Sequence, residues 1–377
     1  MTTYKYRLYP GRSQETSLVS WLESCRFLYN LLLEERKNSW EKNKKNLSLY
    51  DQCNSLPKLK RKYPELKKIH SQVLQNTAVR LDLAFKAFFR RIRQGEKPGY
   101  PRFKSKHRYN NICFPQVIQE CIEDNFVWLP KFGKVEFIKH RKILGKIKNI
   151  MVKRSLSGKW FLYVVTDHVE KENFGKTEKE NVGLDVGIEC FAMLSDGTRI
   201  ENPRFFEIEQ KELAKKQRKL EKLKKAEKPV KTTKLAITKI HEKIVNKRHN
   251  FCFQTANSLL KKYRNIYVED IEINKLIQKK WCSKQICDAA WGNFLNILVY
   301  KAECADRKVE KVNPAYTSQT CSQCGTRTIH ELKDRVFKCK CGLQLNRDLN
   351  AALNILTLGT KSFKNTLRTQ SFGSQEL

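Results

Sequence analysis

Asn181-Val-Gly-Leu-Asp-Val-Gly187 sets one aspartate, Asp185, inside a short apolar run that reads as a buried strand. A lone aspartate in such a strand can be a hydrogen-bonded structural residue, so its companions decide the reading. Two more acids stand at the ends of downstream elements. Glu269 closes the apolar Asn265-Ile-Tyr-Val-Glu, and Asp348 lies in Asn346-Arg-Asp-Leu-Asn-Ala-Ala-Leu-Asn-Ile-Leu356, the expected start of a helix. Carboxylates at the ends of buried elements suit the holding of two Mg²⁺ ions for phosphodiester cleavage. Taken singly each has a plainer reading: Glu269 has the acidic neighbours Asp270 and Glu272, and Asp348 would pass as a helix N-cap.

Between the second and third acids sits Cys321-Ser-Gln-Cys324-Gly, and fourteen residues later Cys339-Lys-Cys341-Gly. Four thiolates within 21 residues predict one structural, tetrahedral Zn²⁺. The insert around them has little apolar surface, so metal binding would supply its folding energy. One residue between Cys339 and Cys341, where two are usual, strains that geometry, and His330 is a nearby substitute ligand. The other nine of the 13 cysteines are scattered without pattern, which fits a reducing compartment rather than a disulfide framework.

Composition points to the partner. The 377 residues allow two or more domains, and 75 basic against 39 acidic residues leave a net charge of +36. Self-repulsion of that size calls for a polyanion, and nucleic acid leads. No apolar run approaches the ~18 residues of a membrane-spanning helix, and no basic amphipathic anchor or export signal is evident. No Gly-rich phosphate loop of the ATPase type occurs.

Along the chain, residues 4–9 read as a strand ended by Pro10-Gly11. Ser13 then caps a helix with Leu18, Leu22, Cys25, Tyr29 and Leu32 on one face. Helical character continues to about residue 93, with breaks expected near Pro57 and Pro64. From 112 to 167 the texture is β, with a hairpin at Ser155-Leu-Ser-Gly158, and residues 167–180 read as a linker. Two long helices broken at Pro229 follow; residues 211–248 carry 15 Lys or Arg against four Glu. Ile286, Ala290, Phe294 and Leu298 mark one further helix, and Lys308–Asn313 a strand. Tyr100-Pro-Arg-Phe-Lys-Ser-Lys-His-Arg-Tyr109 interleaves cations with aromatics, a pattern for phosphate contact and base stacking. Trp21, Trp160 and Trp291 read as core. The polar tail, 359–377, is expected to be disordered.

Gly183-Leu-Asp-Val-Gly, Val268-Glu-Asp, Tyr316-Thr-Ser-Gln-Thr-Cys-Ser-Gln-Cys-Gly and Asn346-Arg-Asp-Leu-Asn together resemble the TnpB family. These are transposon-encoded, RNA-guided endonucleases considered ancestral to type V CRISPR effectors. Tyr4-Lys-Tyr-Arg-Leu-Tyr-Pro, Pro101-Arg-Phe-Lys-Ser-Lys, Ile286-Cys-Asp-Ala-Ala-Trp and Tyr300-Lys-Ala-Glu extend the resemblance over most of the chain. It implies an α+β multidomain fold. A wedge β-barrel would be split between residues 1–10 and 112–180, with a helical recognition lobe, 11–111, inserted. A RuvC-like nuclease of RNase H fold would span 181–315 and 346–358, with a zinc-ribbon insert at 316–345.

The resemblance also implies the roles. Asp185, Glu269 and Asp348 would be the catalytic ligands of two Mg²⁺, and Cys321, Cys324, Cys339 and Cys341 the ligands of one Zn²⁺. A guide RNA from the transposon end would choose the target by pairing, while the protein reads a short motif on double-stranded target DNA. The implied setting is the prokaryotic cytoplasm, at the nucleoid when DNA is bound, with a monomer favoured. Asn346 departs from the family, which often has an acid there. Two rival readings stand beside this one: a DDE-type recombinase, which the lack of a clear N-terminal helix-turn-helix disfavours, and a catalytically silent RNA-guided regulator, which the presence of all three acids disfavours.

Overall fold

The computed structural model describes residues 1–117, 119–168, 171–172, 174–278, 282–329, 331 and 334–372, and the chain divides into two compact units, 1–170 and 171–377. The division falls inside the expected linker. Among the described residues no helix is long and apolar enough to cross a membrane.

The first unit holds β1 (Thr2–Tyr9), α1 (Arg12–Asn43), α2 (Leu49–Lys62), α3 (Ser71–Arg93), β2 (Asn111–Phe114), β3 (Ile122–Glu123), β4 (Phe126–Leu129), β5 (Gly133–Ile138), β6 (Ile147–Arg154) and β7 (Trp160–Thr166). Its strands make one antiparallel sheet in the order β2-β6-β7-β1-β5-β4-β3, so the N-terminal strand lies at the centre. Tyr4, Tyr6 and Leu8 alternate into the core, the period a half-buried strand requires. Leu18, Leu22, Cys25, Tyr29 and Leu32 are all buried, so α1 shows the face its spacing predicts. These residues and the sheet form a single core. The helices therefore do not make a separately packed lobe.

Two helix signals were misplaced. Gly11, not Ser13, is the extended N-cap of α1, and its N–H donates to Gln14 Oε1 at 3.0 Å. Pro57 sits inside α2, where it forgoes the bond to the carbonyl four residues back without ending the helix; the break comes instead at 44–48, where Lys44 adopts φ 51°.

The second unit holds β8 (Lys179–Val186), β9 (Cys190–Leu194), β10 (Arg199–Glu201), α4 (Phe205–Lys225), α5 (Lys231–Lys262), β11 (Tyr263–Glu269), α6 (Ile273–Gln278), α7 (Ser283–Ala289), α8 (Trp291–Cys304), β12 (Lys308–Val312), β13 (Val336–Lys338), β14 (Gln344–Asn346) and α9 (Arg347–Phe372). Its main sheet has the order β10-β9-β8-β11-β12, antiparallel through β8 and parallel from β8 to β12. One face packs on α5 and α8 through Val182, Leu184, Ile266, Val268, Leu259, Phe294 and Leu298. The other is covered by α9. The helix expected across 286–298 is two helices, because Ala290 takes a left-handed conformation at φ 56° between α7 and α8. The tail expected to be disordered is helical in α9 as far as Phe372; residues 373–377 lie outside the described residues.

Candidate functional site

Strand alternation decides which way Asp185 faces. Val182 and Leu184 enter the core shared with α5 and α8, which turns Gly183 and Asp185 to the opposite side of the sheet. That side belongs to α9: a Cβ built on Gly183 would lie 2.1 Å from the Ala352 carbonyl oxygen and 2.7 Å from Leu356 N. The same parity operates on β11. Ile266 and Val268 join Leu184 in its core, so Tyr267 and Glu269 face α9. A Cβ on Gly359 would lie 2.1 Å from the Tyr267 ring, so this helix–sheet contact rests on two missing side chains.

Parallel register pairs Leu184 with Val268, which leaves Asp185 and Glu269 as the next residues on adjacent strands, whose spacing is about 4.8 Å. Asp348 arrives from the first turn of α9. Its Oδ2 is 3.9 Å from Cys190 Sγ, on β9, and 4.0 Å from where a Cβ on Gly187 would stand. The three predicted acids thus come from β8, β11 and α9 to one end of one face of the sheet.

Asp348 is not the helix cap. Asn346 Oδ1 accepts the N–H groups of Asp348 at 2.9 Å and Leu349 at 3.2 Å, so the asparagine caps α9 and leaves the aspartate's carboxylate unused by the backbone. The departure at Asn346 therefore has a structural role that needs no acid.

Electrostatics tie the three together. Burial holds the Asp185 carboxyl well above the usual carboxylate range, and the charges of Glu269 and Asp348 push it further up, while Arg347 opposes them. Burial also raises Glu269, against a hydrogen bond donated by the Thr317 hydroxyl. Mutual repulsion of this kind is what a divalent cation relieves, so the donor set fits the chemistry of Mg²⁺. Among the described residues, only the cysteines crowd tightly enough to enclose a single ion.

The cysteine site is closed. The four Sγ atoms of Cys321, Cys324, Cys339 and Cys341 all lie within 4.8 Å of one another. Cys321 and Cys341 are 3.7 Å apart, and Cys324 and Cys339 3.5 Å. A tetrahedron of Zn–S bonds of about 2.3 Å has edges of about 3.8 Å, so the set fits zinc. The short Cys339–Cys341 spacing is absorbed by a tight turn, with Gly342 N bonded to Cys339 O at 3.0 Å and Gly342 at φ 93°. His330 lies outside the described residues.

Three residues escaped the sequence reading. Asn350 and Asn354, buried on α9, grip the loop leading to the cysteines. Asn350 Nδ2 donates to Thr320 O at 2.7 Å and its Oδ1 accepts Ser322 N at 2.9 Å; Asn354 Nδ2 donates to Thr317 O at 2.8 Å and Thr320 O at 2.6 Å. Their spacing of four beside Ala351, Ala352 and Ile355 was a readable signal of a polar stripe on a buried helix. Thr317 stands in the block Tyr316–Gly325 that carries the family resemblance, but nothing in the sequence tied it to Glu269.

Elsewhere, Tyr100 and Phe103 in the basic stretch are about half exposed, while Phe114, Trp21, Trp160 and Trp291 are buried. Lys211, Lys215, Arg218, Lys219 and Lys222 line one open side of α4.

Three family models match parts of the chain. Residues 163–280 match a family model described as "Probable transposase", residues 291–355 the "Cas12f1-like, TNB domain", and residues 1–45 a "Helix-turn-helix domain". Despite that last description, the residues matched form one strand and one uninterrupted helix, β1 and α1. The chain is 30% identical to "Putative RNA-guided DNA endonuclease InsQ" of Escherichia coli (strain K12), over 95% of this chain and 92% of that protein. It is 27% identical to the "Putative RNA-guided DNA endonuclease" of Streptomyces pristinaespiralis, over 94% and 89%. A segment covering 15% of this chain is 48% identical to 14% of the "CRISPR-associated endodeoxyribonuclease Cas12f1" of Sulfoacidibacillus thermotolerans.

Proposed function

The chain belongs to the TnpB family, and from that membership we propose that it is an RNA-guided, Mg²⁺-dependent DNA endonuclease with a single RuvC-like site. The observation that carries the reading is the gathering of Asp185, Glu269 and Asp348 on the α9 side of the sheet, at the ends of β8, β11 and the helix's own N-terminus. Asp185, Glu269 and Asp348 are the residues that would hold the metal. Bound there, Mg²⁺ supplies an activated water and stabilises a leaving 3′ oxygen. The protein's part is to bring Asp185 and Glu269, whose burial disfavours their charge, to the side of the sheet where Asp348 arrives, and to leave the Asp348 carboxylate unused by the α9 backbone by capping that helix with Asn346.

Residues 316–345 act as the zinc insert, whose folding depends on its metal. The sheet and helices of the first unit take the wedge and recognition roles, with Tyr100, Phe103 and the surrounding cations as a surface for nucleic acid. Partners are a guide RNA and double-stranded target DNA, and the free-thiol chemistry suits a cytoplasmic setting. A net charge of +36 supports tight, salt-sensitive phosphate binding.

The test is to sequence the RNA that co-purifies with the protein, build a duplex matching its variable end, and add Mg²⁺. Cutting of the matched duplex, with a scrambled one left whole, is the expected result. Joining of ends without guide-dependent cutting would instead support a recombinase.

A further inference from the structure

We propose that Thr317 is a positioning residue that sets the Glu269 carboxylate for metal, a role resting on the assignment of Glu269 as a ligand. Thr317 is buried, and its hydroxyl donates to Glu269 Oε1; the alternative acceptor, Pro314 O, is farther off at 3.3 Å. A hydroxyl has one proton to give, so the closer carboxylate takes it. One Glu269 oxygen is thereby engaged, which restricts how the carboxylate can turn. A hydrogen bond to a charged acceptor is among the stronger ones, and leaving such an acceptor without its donor is costly.

Thr317 is itself anchored on two sides. Its carbonyl accepts Asn354 Nδ2 at 2.8 Å, from the helix that carries Asp348. Four residues on, its loop becomes the zinc knuckle at Cys321, after Thr320 O has been gripped by Asn350 and Asn354. The loop therefore references Glu269, on β11, to α9 and to the cysteine cluster at once. Loss of the threonine hydroxyl removes its link to the carboxylate while leaving the backbone anchors at Thr317 O and Thr320 O in place.

The experiment compares wild type, Thr317→Val, Thr317→Ser and Glu269→Gln as guide-loaded complexes, measuring guide retention, melting temperature and the cleavage rate as Mg²⁺ is titrated. Valine keeps the shape and deletes the donor; serine restores it. The expected result is a Mg²⁺ half-saturation raised on the order of tenfold in Thr317→Val, recovered in Thr317→Ser, with guide binding equal in all. A purely structural threonine would lower the melting temperature without moving the Mg²⁺ requirement, and that outcome overturns the proposal. If Glu269→Gln cuts with an unchanged Mg²⁺ requirement, the ligand assignment fails and takes the proposal with it. If Glu269→Gln is dead and Thr317→Val matches wild type, the proposal alone is wrong.

Discussion

Asp185 is costly to the metal-free protein. Its folded-state affinity for a proton is raised by burial first and by Glu269 and Asp348 second, whereas in the unfolded chain it titrates as an ordinary aspartate. Below the ordinary aspartate range both states are protonated and nothing is lost. As pH rises through that range the unfolded chain gives up the proton that the folded one keeps, so stability falls until the raised value is passed. Asp185→Asn should therefore raise the melting temperature of the metal-free protein at pH 7.5, by about 2–4 °C for each kcal/mol of repulsion removed, and by less at pH 5. Thermal unfolding of both proteins in a chelator that spares zinc measures it; an equal or lower melting temperature for the variant at pH 7.5 would falsify the electrostatic account. Asp185 was conspicuous in the sequence because it stands between Leu184 and Val186, whereas Glu269 beside Asp270 and Asp348 beside Arg347 were picked out only together with it. Asn346 as cap was not legible, since an Asn and an Asp two residues apart are equally good caps on paper and only the built turn chooses between them.

At the scale of elements, the seat of α9 on the sheet depends on Gly183. An added methyl there meets the Ala352 carbonyl oxygen at 2.1 Å, a backbone atom that no rotamer change can move. Gly183→Ala should push α9 off β8, destabilise by roughly 1–3 kcal/mol as overpacked cores do, and slow cutting by separating Asp348 from Asp185. Denaturant unfolding and cleavage rate, read together, check this; a variant as stable and fast as wild type would mean the helix does not seat the site. Periodicity gave the buried faces of α1 and the strands because the pattern is set by contact with one core. It failed at Ala290, where buried Ile286, Ala289, Trp291, Phe294 and Leu298 run on through the break and the nearby Gly292 lies inside α8 rather than at the turn. It erred the other way at Pro57, since a proline can be carried within a helix whose neighbours Gln52 and Leu56 are held in the core.

Over the whole molecule, charge and covalent order explain what local patterns could not. An excess of 36 positive charges on 377 residues is tolerable to a chain meant to work while wrapped in phosphate. The carboxylates of the proposed site are drawn from positions 185, 269 and 348, so bringing them to one face depends on a parallel pairing of β8 with β11 and on a helix returning across both. Such long-range pairing leaves no mark in any short window of sequence. What made it readable was the series of blocks in family order; the division into units 1–170 and 171–377 falls within the linker expected at 167–180, while the composition of each unit's core emerged only in three dimensions. The claim on which this rests is that three separated acids act as one metal-binding set. The direct measurement is guide-dependent cutting of a matched duplex by wild type, Asp185→Asn, Glu269→Gln and Asp348→Asn, each loaded with the same RNA and saturated with Mg²⁺. All three variants should retain the guide and lose cutting by at least about a thousandfold, on the scale of removing a group that stabilises the transition state; a variant that keeps both guide and rate would contradict the account.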